Sequence, residues 1–365
     1  MAGQVFIAGA RASQPLFGEL FTDPSVVGDE ESLPDVTFYD IDPAVALRED
    51  LPHLDAARRE GRVRLVNEMP EGPFDIAVIA TASANHASAT QAIIDGQTLP
   101  QFFIQEKPLA ATPEELEWFQ RLVPHLPPNS ITNEPYLFSQ SVRYLSKYIC
   151  LQKEMGNSLS ELCAWSSKLR SKRNPHGSLG IFGIELPHTH GVASLLAGEV
   201  LGSGNAELEE NTYFADVDGE PGNDGNYLRF RSNETTIHIA QGLGRFTMDS
   251  YGVMRRHEMP PKTRSISAIF ADGRHVTLDM EPAFAPTSTE DRYGLLQYHD
   301  THDTLIREVR VPDDPRRHLV RYAWQQVHGY LNTPLPHVSL QDSLARSEAL
   351  LQLRASAEVR KNVSS

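Results

Sequence analysis

The stretch that most constrains this chain is DIAVIAT (Asp75 to Thr81), a β-branched apolar run with a helix-forming segment, Ser83 to Asp95, directly behind it. A strand without polar alternation is buried on both faces, and a parallel sheet flanked by helices buries both. The same arrangement recurs along the first third of the chain. QVFIAGA (Gln4 to Ala10) reads as a short buried strand ending in glycine, and a helical stretch follows around Pro15 to Phe21. VTFYDID (Val36 to Asp42) reads as a second strand ending in acid, with an Ala-, Leu- and charge-rich helical stretch behind it from Pro43 to Glu60. VRLV (Val63 to Val66) is a third strand and FFIQE (Phe102 to Glu106) another. Thr112-Pro113-Glu114-Glu115 then supplies an N-cap, a proline at the first helical position and acid in the first turn. Strands alternating with helices at this spacing predict parallel βαβ units and a doubly wound sheet.

The pattern changes after about Ser130. Later strands are longer and polar on alternate residues: Leu162 to Arg170, Glu207 to Asp216, Asn226 to Arg231, Thr235 to Leu243 and Ser265 to Phe270. Strands without intervening helices predict an open, largely antiparallel sheet. A helix around His188 to Leu196 interrupts them, and helices near His318 to Leu331 and Leu340 to Val359 close the chain. The run Pro312-Asp313-Asp314-Pro315 reads as a polar connection. With 365 residues the chain exceeds one ordinary core. The expected fold class is α/β in two domains, 1–132 with the parallel sheet and 133–365 with the open sheet.

Composition excludes several classes. Hydrophobic residues make up 40% and charged residues 22%, the balance of a globular protein. A net charge of −15, from 33 basic and 48 acidic residues, repels phosphate backbones and anionic lipid, so nucleic acid and membranes are not expected partners. Two cysteines, Cys150 and Cys163, make no disulfide framework and no zinc spacing, which favours a reduced, cytoplasmic setting. There is no basic n-region of a signal peptide and no apolar run of about 20 residues.

DIAVIATASANHASATQAIIDG and FFIQEKPLAATPEEL together resemble the glucose–fructose oxidoreductase and inositol dehydrogenase (Gfo/Idh/MocA) family. The resemblance rests on Asn85 and His86 in the turn, Gly96 at the helix end and Glu106-Lys107-Pro108 after the strand. GIELPHTHGVASLLAG resembles the family's helix with an active-site histidine ten residues before a glycine, here His188 and Gly198, and LPHVSLQDSLARSEALLQLRASAE its closing helix. The matches span nearly the whole chain. The resemblance implies an N-terminal Rossmann domain, a C-terminal α/β domain, and NAD or NADP. It also implies a sugar, cyclitol or related carbinol, ketone or imine as small-molecule substrate, with homodimeric or homotetrameric assembly through the C-terminal sheet. The chain departs from the family at two places. The glycine fingerprint G-x-G-x-x-G reads Gly9-Ala10-Arg11-Ala12-Ser13-Gln14, with Arg11 and Gln14 where the second and third glycines stand. An arginine there either compensates by charge or obstructs the pyrophosphate. The family's Asp four residues before the histidine is Ile184 here, with Glu185 one place later.

The residues themselves suggest a division of labour. Removing a hydride from a carbinol requires a base for the hydroxyl proton and a cation for the developing alkoxide. His188 is the candidate base, Lys107 the candidate cation and Glu185 the neighbouring acid. The two chief groups are expected to serve one oxygen. For the dinucleotide, Gly9, Ala10 and Arg11 face the pyrophosphate. Asp40 is the ribose ligand, which favours NAD over NADP, while Asp42 before Pro43 suits turn chemistry. By the resemblance, Thr81, Ala82 and Asn85 form the turn beside the nicotinamide ribose, with His86 also on the cofactor side, while Glu106 braces its turn or lines the cofactor pocket. Tyr136, Lys168 and Arg170 are candidate substrate contacts, the last two within a basic cluster with Lys172 and Arg173. No metal is expected. His188 and His190 at i and i+2 of a helix point apart, and His299 to Asp303 reads as a polar loop without a third ligand. The alternative to an enzyme is a dinucleotide-binding regulator or partner subunit that kept the fold.

Overall fold

The computed structural model describes residues 3–28, 33–82, 85–96, 99–168, 181–182, 185–204, 206–215, 224–243, 246–248, 254–256, 263–280, 292–331 and 335–361. These fall into two compact units, residues 1–135 with 316–344 and residues 136–315 with 345–365.

The first unit is built on a parallel sheet of β1 (Gln4–Ala8), β2 (Asp35–Tyr39), β3 (Val63–Val66), β4 (Ile76–Ile79), β5 (Phe102–Gln105) and β6 (Ile131–Thr132), ordered β3-β2-β1-β4-β5-β6. The apolar strands take the centre, as their lack of alternation predicts. β1 lies between β2 and β4 with Ile7 opposite both Phe38 and Val78, and Val5 to Ala8 are fully buried. Phe6, Ala77, Ile79, Phe103 and Phe119 share one core cluster with Leu340 and Leu344 from the far end of the chain. Each large side chain buried there contributes about 1.5–3 kcal/mol.

The helices of this unit include α1 (the helical run 10–21), α2 (Pro52–Arg59), α3 (His86–Asp95) and α4 (Pro113–Leu122). Helix α1 starts at Ala10, directly behind Gly9, earlier than the sequence reading placed it, and widens to a π-helical stretch over Gln14–Gly18. Pro15 within that stretch has no N–H to donate to the preceding turn. The expected helix from Pro43 to Glu60 shortens to α2. Asp side chains capture the backbone before it: Asp42 N donates to Asp40 Oδ1 (3.1 Å) and Ala44 N to Asp42 Oδ1 (2.9 Å). Such local bonds favour turns over helix. Helix α4 begins as its sequence predicts, with Thr112 Oγ1 accepting from Glu115 N at 3.2 Å.

The second unit carries a nine-stranded sheet. Its strands are β7 (Leu159–Lys168), β8 (Glu207–Ala215), β9 (Gly225–Ser232), β10 (Thr235–Leu243), β13 (Thr263–Phe270), β14 (His275–Asp279), β15 (Tyr293–His299), β16 (Leu305–Pro312) and β17 (Glu358–Lys361). β11 (Phe246–Met248) and β12 (Met254–Arg256) form a separate ribbon. The order β16-β15-β14-β13-β7-β10-β9-β8-β17 is antiparallel except at β7–β10 and β8–β17. One face holds the buried residues Leu162, Ala164, Ile237, Ile239, Ile266, Ala268 and Leu278. Helices α5 (Gln140–Glu154) and α6 (Leu186–Ala197) belong to this unit; α7 (Pro315–Val327) and α8 (Leu340–Ser356) close the chain.

Helix α5 and strands β14 to β16 were not anticipated from the sequence. Nor is Asp313 merely part of a polar connection. It is buried, and its carboxylate accepts from Ser139 Oγ and Ser141 Oγ, each at 2.5 Å, and from the backbone N–H of Gln140 (3.0 Å) and Ser141 (3.2 Å). An acid 172–174 positions downstream thus satisfies orphan donors at the α5 N-terminus. Among the described residues no helix is long and apolar enough to cross a membrane.

Candidate functional site

In a doubly wound sheet, connections leave neighbouring strands in opposite directions at one point, and a crevice opens there beyond the strand ends. Here that point is β1/β4. A cavity of about 250 Å³ lies there, lined by residues that include Gly9, Arg11, Asp40, Ala80, Thr81 and Asn85. Five of the expected cofactor residues therefore meet in one place. Gly9 has φ +91°, and its N–H donates to Tyr39 O at 2.9 Å. A Cβ at Gly9 would stand 2.5 Å from Ala80 O. Gly9→Ala is accordingly expected to cost about 1–3 kcal/mol from backbone conformation alone, with the clash in addition. Differential scanning calorimetry reads this as a lower unfolding midpoint, and an unchanged midpoint would show that the turn relaxes at no cost.

The two non-glycine residues of the fingerprint behave differently. Gln14 is buried and turned away from the crevice: its Nε2 donates to Ala46 O (3.0 Å) and its Oε1 accepts from Arg48 N (2.7 Å). It fastens the loop after β2 to α1. Arg11 is exposed on the crevice wall and pairs with Asp42 at 2.8 Å. An exposed pair of this kind contributes little to stability, so Arg11 can exchange its partner for another anion. Asp40 follows the end of β2, and Asn67 Nδ2 donates to its backbone carbonyl at 2.8 Å. Ala10 is fully buried behind Gly9.

His86 and Glu106 do not line the cavity; they brace the strand ends behind it. His86 is buried at the start of α3, with Nε2 3.1 Å from Thr81 O and Nδ1 3.3 Å from Pro108 O. Burial lowers its pKa, with the carbonyl contacts opposing, so the ring is neutral and one N–H donates at a time. It ties the Thr81 turn to the turn that carries Lys107. Burial raises the pKa of Glu106, against the opposing effects of Lys107 and of the hydrogen bond from Asn133 Nδ2.

The second unit assembles its own cluster. Of the run Glu185 to Leu196, His188 is the only residue that is not buried. Its ring meets Tyr136 edge to face, with centroids 5.3 Å apart. The Arg264 guanidinium lies 4.5 Å from the Tyr136 ring centroid and donates to the Tyr136 hydroxyl. Arg264 also donates to Glu185 Oε2 at 2.7 Å, both side chains being almost wholly buried. Glu185, at the N-cap of α6, accepts from the His188 N–H through its backbone carbonyl at 3.1 Å, and its carboxylate is linked to the His188 ring by way of Arg264 and Tyr136. His190 faces the other way: it is fully buried, bonded to Leu201 O at 2.9 Å, and burial lowers its pKa to about 4. Lys168 ends β7, and Arg170, Lys172 and Arg173 lie outside the described residues.

Arg264 is the residue that the sequence reading missed. The signal was present in TRSISAIF: Arg264 shares strand parity with Ile266, Ala268 and Phe270, all buried, so a cation occupies a core position. A second unanticipated group joins His275, in β14, to His299 and Asp303 at the end of the next hairpin.

No family model and no curated protein sequence matches the chain. Solved structures do. The lysine-to-alanine variant of KijD10, a 3-ketoreductase from Actinomadura kijaniata in complex with TDP-benzene and NADP, matches with a TM-score of 0.68 at 13% identity over 99% of this chain and 100% of that one. A dehydrogenase from Chromobacterium violaceum matches at 0.66 with 14% identity over 98% and 96%, respectively. The dehydrogenase MviM from Clostridium difficile matches at 0.64 with 10% identity over 98% and 100%. These are likenesses of fold, end to end.

Proposed function

We propose that the chain is an NAD(P)-dependent oxidoreductase that moves a hydride between nicotinamide and a small polar metabolite. The reacting group would be a carbinol, its ketone or an imine, in a sugar, cyclitol or similar molecule. The observation that carries this reading is the crevice at the β1/β4 switch point, with Gly9 at its base and an acid, Asp40, after β2. Such a crevice takes the pyrophosphate against the close-packed glycine turn and the ribose hydroxyls against the acid. The end-to-end likeness to oxidoreductase folds, one of them in complex with NADP, supports it. In this reading His188 removes or returns the proton, and Lys107 steadies charge on the oxygen. Tyr136, held under Arg264, and Lys168 and Arg170 address the rest of the substrate. Assembly through the nine-stranded sheet belongs to the same reading. Trp165, Phe214, Tyr227 and Ala240 form an apolar cluster in that unit, and light scattering on the purified protein would measure the oligomer.

The cofactor in this reading is NAD(H) before NADP(H), because a carboxylate after β2 accepts from the ribose hydroxyls and repels a 2′-phosphate. Asp40→Ala is expected to weaken NAD(H) by about 1–2 kcal/mol, the scale of hydrogen bonds to a charged acceptor, while NADP(H) binding improves. Calorimetric titration of both nucleotides measures it. Equal affinities before and after the substitution would remove Asp40 from the site.

A second reading has its own support in Arg11 and Gln14. A fingerprint with one glycine makes fewer close backbone contacts to a pyrophosphate, as suits a dinucleotide-binding regulator or partner subunit. Nucleotide binding without turnover across a panel of polyols, sugars and keto sugars would favour it. Turnover of any of them would favour the enzyme.

A further inference from the structure

We propose that His275, His299 and Asp303 form a binding site for a divalent transition-metal ion of the zinc class, at the turn end of β14, β15 and β16. The site lies within the second unit and does not depend on the oxidoreductase reading. Its ligands come from three points of the chain that the sheet register brings together. His275 opens β14 and pairs directly across with His299, which closes β15. Asp303 sits in the turn to β16 in the left-handed conformation, φ +62°. That turn is built: Asp300 Oδ1 accepts from the N–H of His302 and of Thr304, each at 2.9 Å, and Asp303 N donates to Asp300 O at 3.2 Å. The turn carries the Asp303 carboxylate back over the two rings.

The distances fit a metal site, although His299 Nδ1 also lies 3.4 Å from the Asp303 carbonyl oxygen, a hydrogen-bond contact that a bound ion would replace. Asp303 Oδ1 is 3.3 Å from His275 Nε2 and 3.4 Å from His299 Nδ1. Charge-assisted N–H···O bonds run at about 2.7–2.9 Å, so both separations are longer than a strong bond of that kind. They match the edge of a tetrahedron around an ion with bonds of about 2.0–2.1 Å, which is about 3.3–3.4 Å. Two imidazoles and one carboxylate are the donor set that zinc accepts, and three protein ligands leave a fourth position for water or an exchangeable anion. The rings now stack with centroids 4.5 Å apart and planes 10° from parallel. Binding therefore requires one ring to turn about its Cβ–Cγ bond to aim its lone pair at the ion. Both rings are partly exposed and Asp303 largely so, which leaves room for that turn. The two histidines also line a cavity of about 260 Å³ with Tyr148, Tyr298, Arg274 and Arg307. Arg274 is already paired with Asp272 at 2.6 Å, which reduces the repulsion it would exert on a cation.

The test is titration of the full-length protein with zinc chloride by isothermal calorimetry. A Cys150→Ser background removes the exposed thiol as a competing ligand. One ion per chain is expected. His275→Asn, His299→Asn and Asp303→Asn should each weaken it about tenfold or more, since loss of even an outer partner of a metal ligand costs about 10–100-fold. His302→Asn, beside the site but not in it, should leave the affinity unchanged. Cobalt(II) in place of zinc should give the intense visible bands of a tetrahedral ion in the parent protein and lose them in the three variants. Far-UV circular dichroism checks that the variants are folded. The proposal is overturned if no stoichiometric zinc is taken up, or if uptake and the cobalt spectrum persist in His275→Asn and His299→Asn.

Discussion

Turnover is expected to fall by about 10²-fold or more when His188 is replaced by alanine, and by a similar factor for Lys107→Ala, while the fold survives. A positioned general base contributes about 10²–10⁴-fold, and a cation aimed at a developing oxyanion acts where water would otherwise have to reorganise. Survival of the fold follows from burial. His188 is the partly exposed residue of an otherwise buried helical stretch, so its truncation opens no core cavity. Lys107 is likewise only half-buried. Steady-state rates with NAD(H), alongside calorimetric nucleotide affinity, separate a loss of chemistry from a loss of binding. If both variants turn over at the parent rate, the assignment of proton and charge handling to this pair fails, and the regulator reading gains.

The second large effect concerns Arg264. Its guanidinium and the Glu185 carboxylate are almost wholly buried and 2.7 Å apart. Removing one partner strands the other charge in the interior, at a cost of about 3–5 kcal/mol. Arg264→Ala is therefore expected to lower the unfolding midpoint by roughly 10 °C for a unit of this size. Replacing both partners with apolar residues of similar volume, Arg264→Met with Glu185→Leu, should recover most of that stability, because the desolvation of both charges goes with them. Stability and function should then part company: the double variant keeps its fold but loses the cation over Tyr136, and with it the support for the ring that meets His188. A double variant with parent stability and parent kinetics would show that the pair does nothing beyond filling space.

How much of this was legible in the sequence depends on what each residue had to show. The parallel sheet was readable because β1, β4 and β5 are unbroken apolar runs with helix-forming segments behind them, and such runs have few other places to be. Thr112-Pro113 marked the start of α4 to the residue. The helix expected from Pro43 shrank to eight residues because two aspartates, Asp40 and Asp42, offered its backbone turn bonds instead, a competition that composition alone does not weigh. Helix α5 carries the spacing Val142, Leu145 and Ile149 that predicts a helix, yet its N-terminal partner, Asp313, stands in another part of the sequence. In the candidate site, Gly9, Arg11 and Asp40 were named from their places at strand ends, and Thr81 and Asn85 from a resemblance of motif; all five line the crevice. Arg264 was not named, nor was His275 as a partner for His299 and Asp303, because their roles exist only through pairing between strands, and register is not written in any single strand.

The burial of α6 also has a dynamic consequence. Amides in a helix enclosed on all sides exchange with solvent only when the surrounding structure opens, so their protection approaches the stability of the whole unit. His188 projects from the first turn of such a helix. Native-state deuterium exchange should therefore find the Val192 to Leu196 amides among the slowest in the chain. A side chain mounted on so slow a segment keeps its direction while the rest of the unit fluctuates.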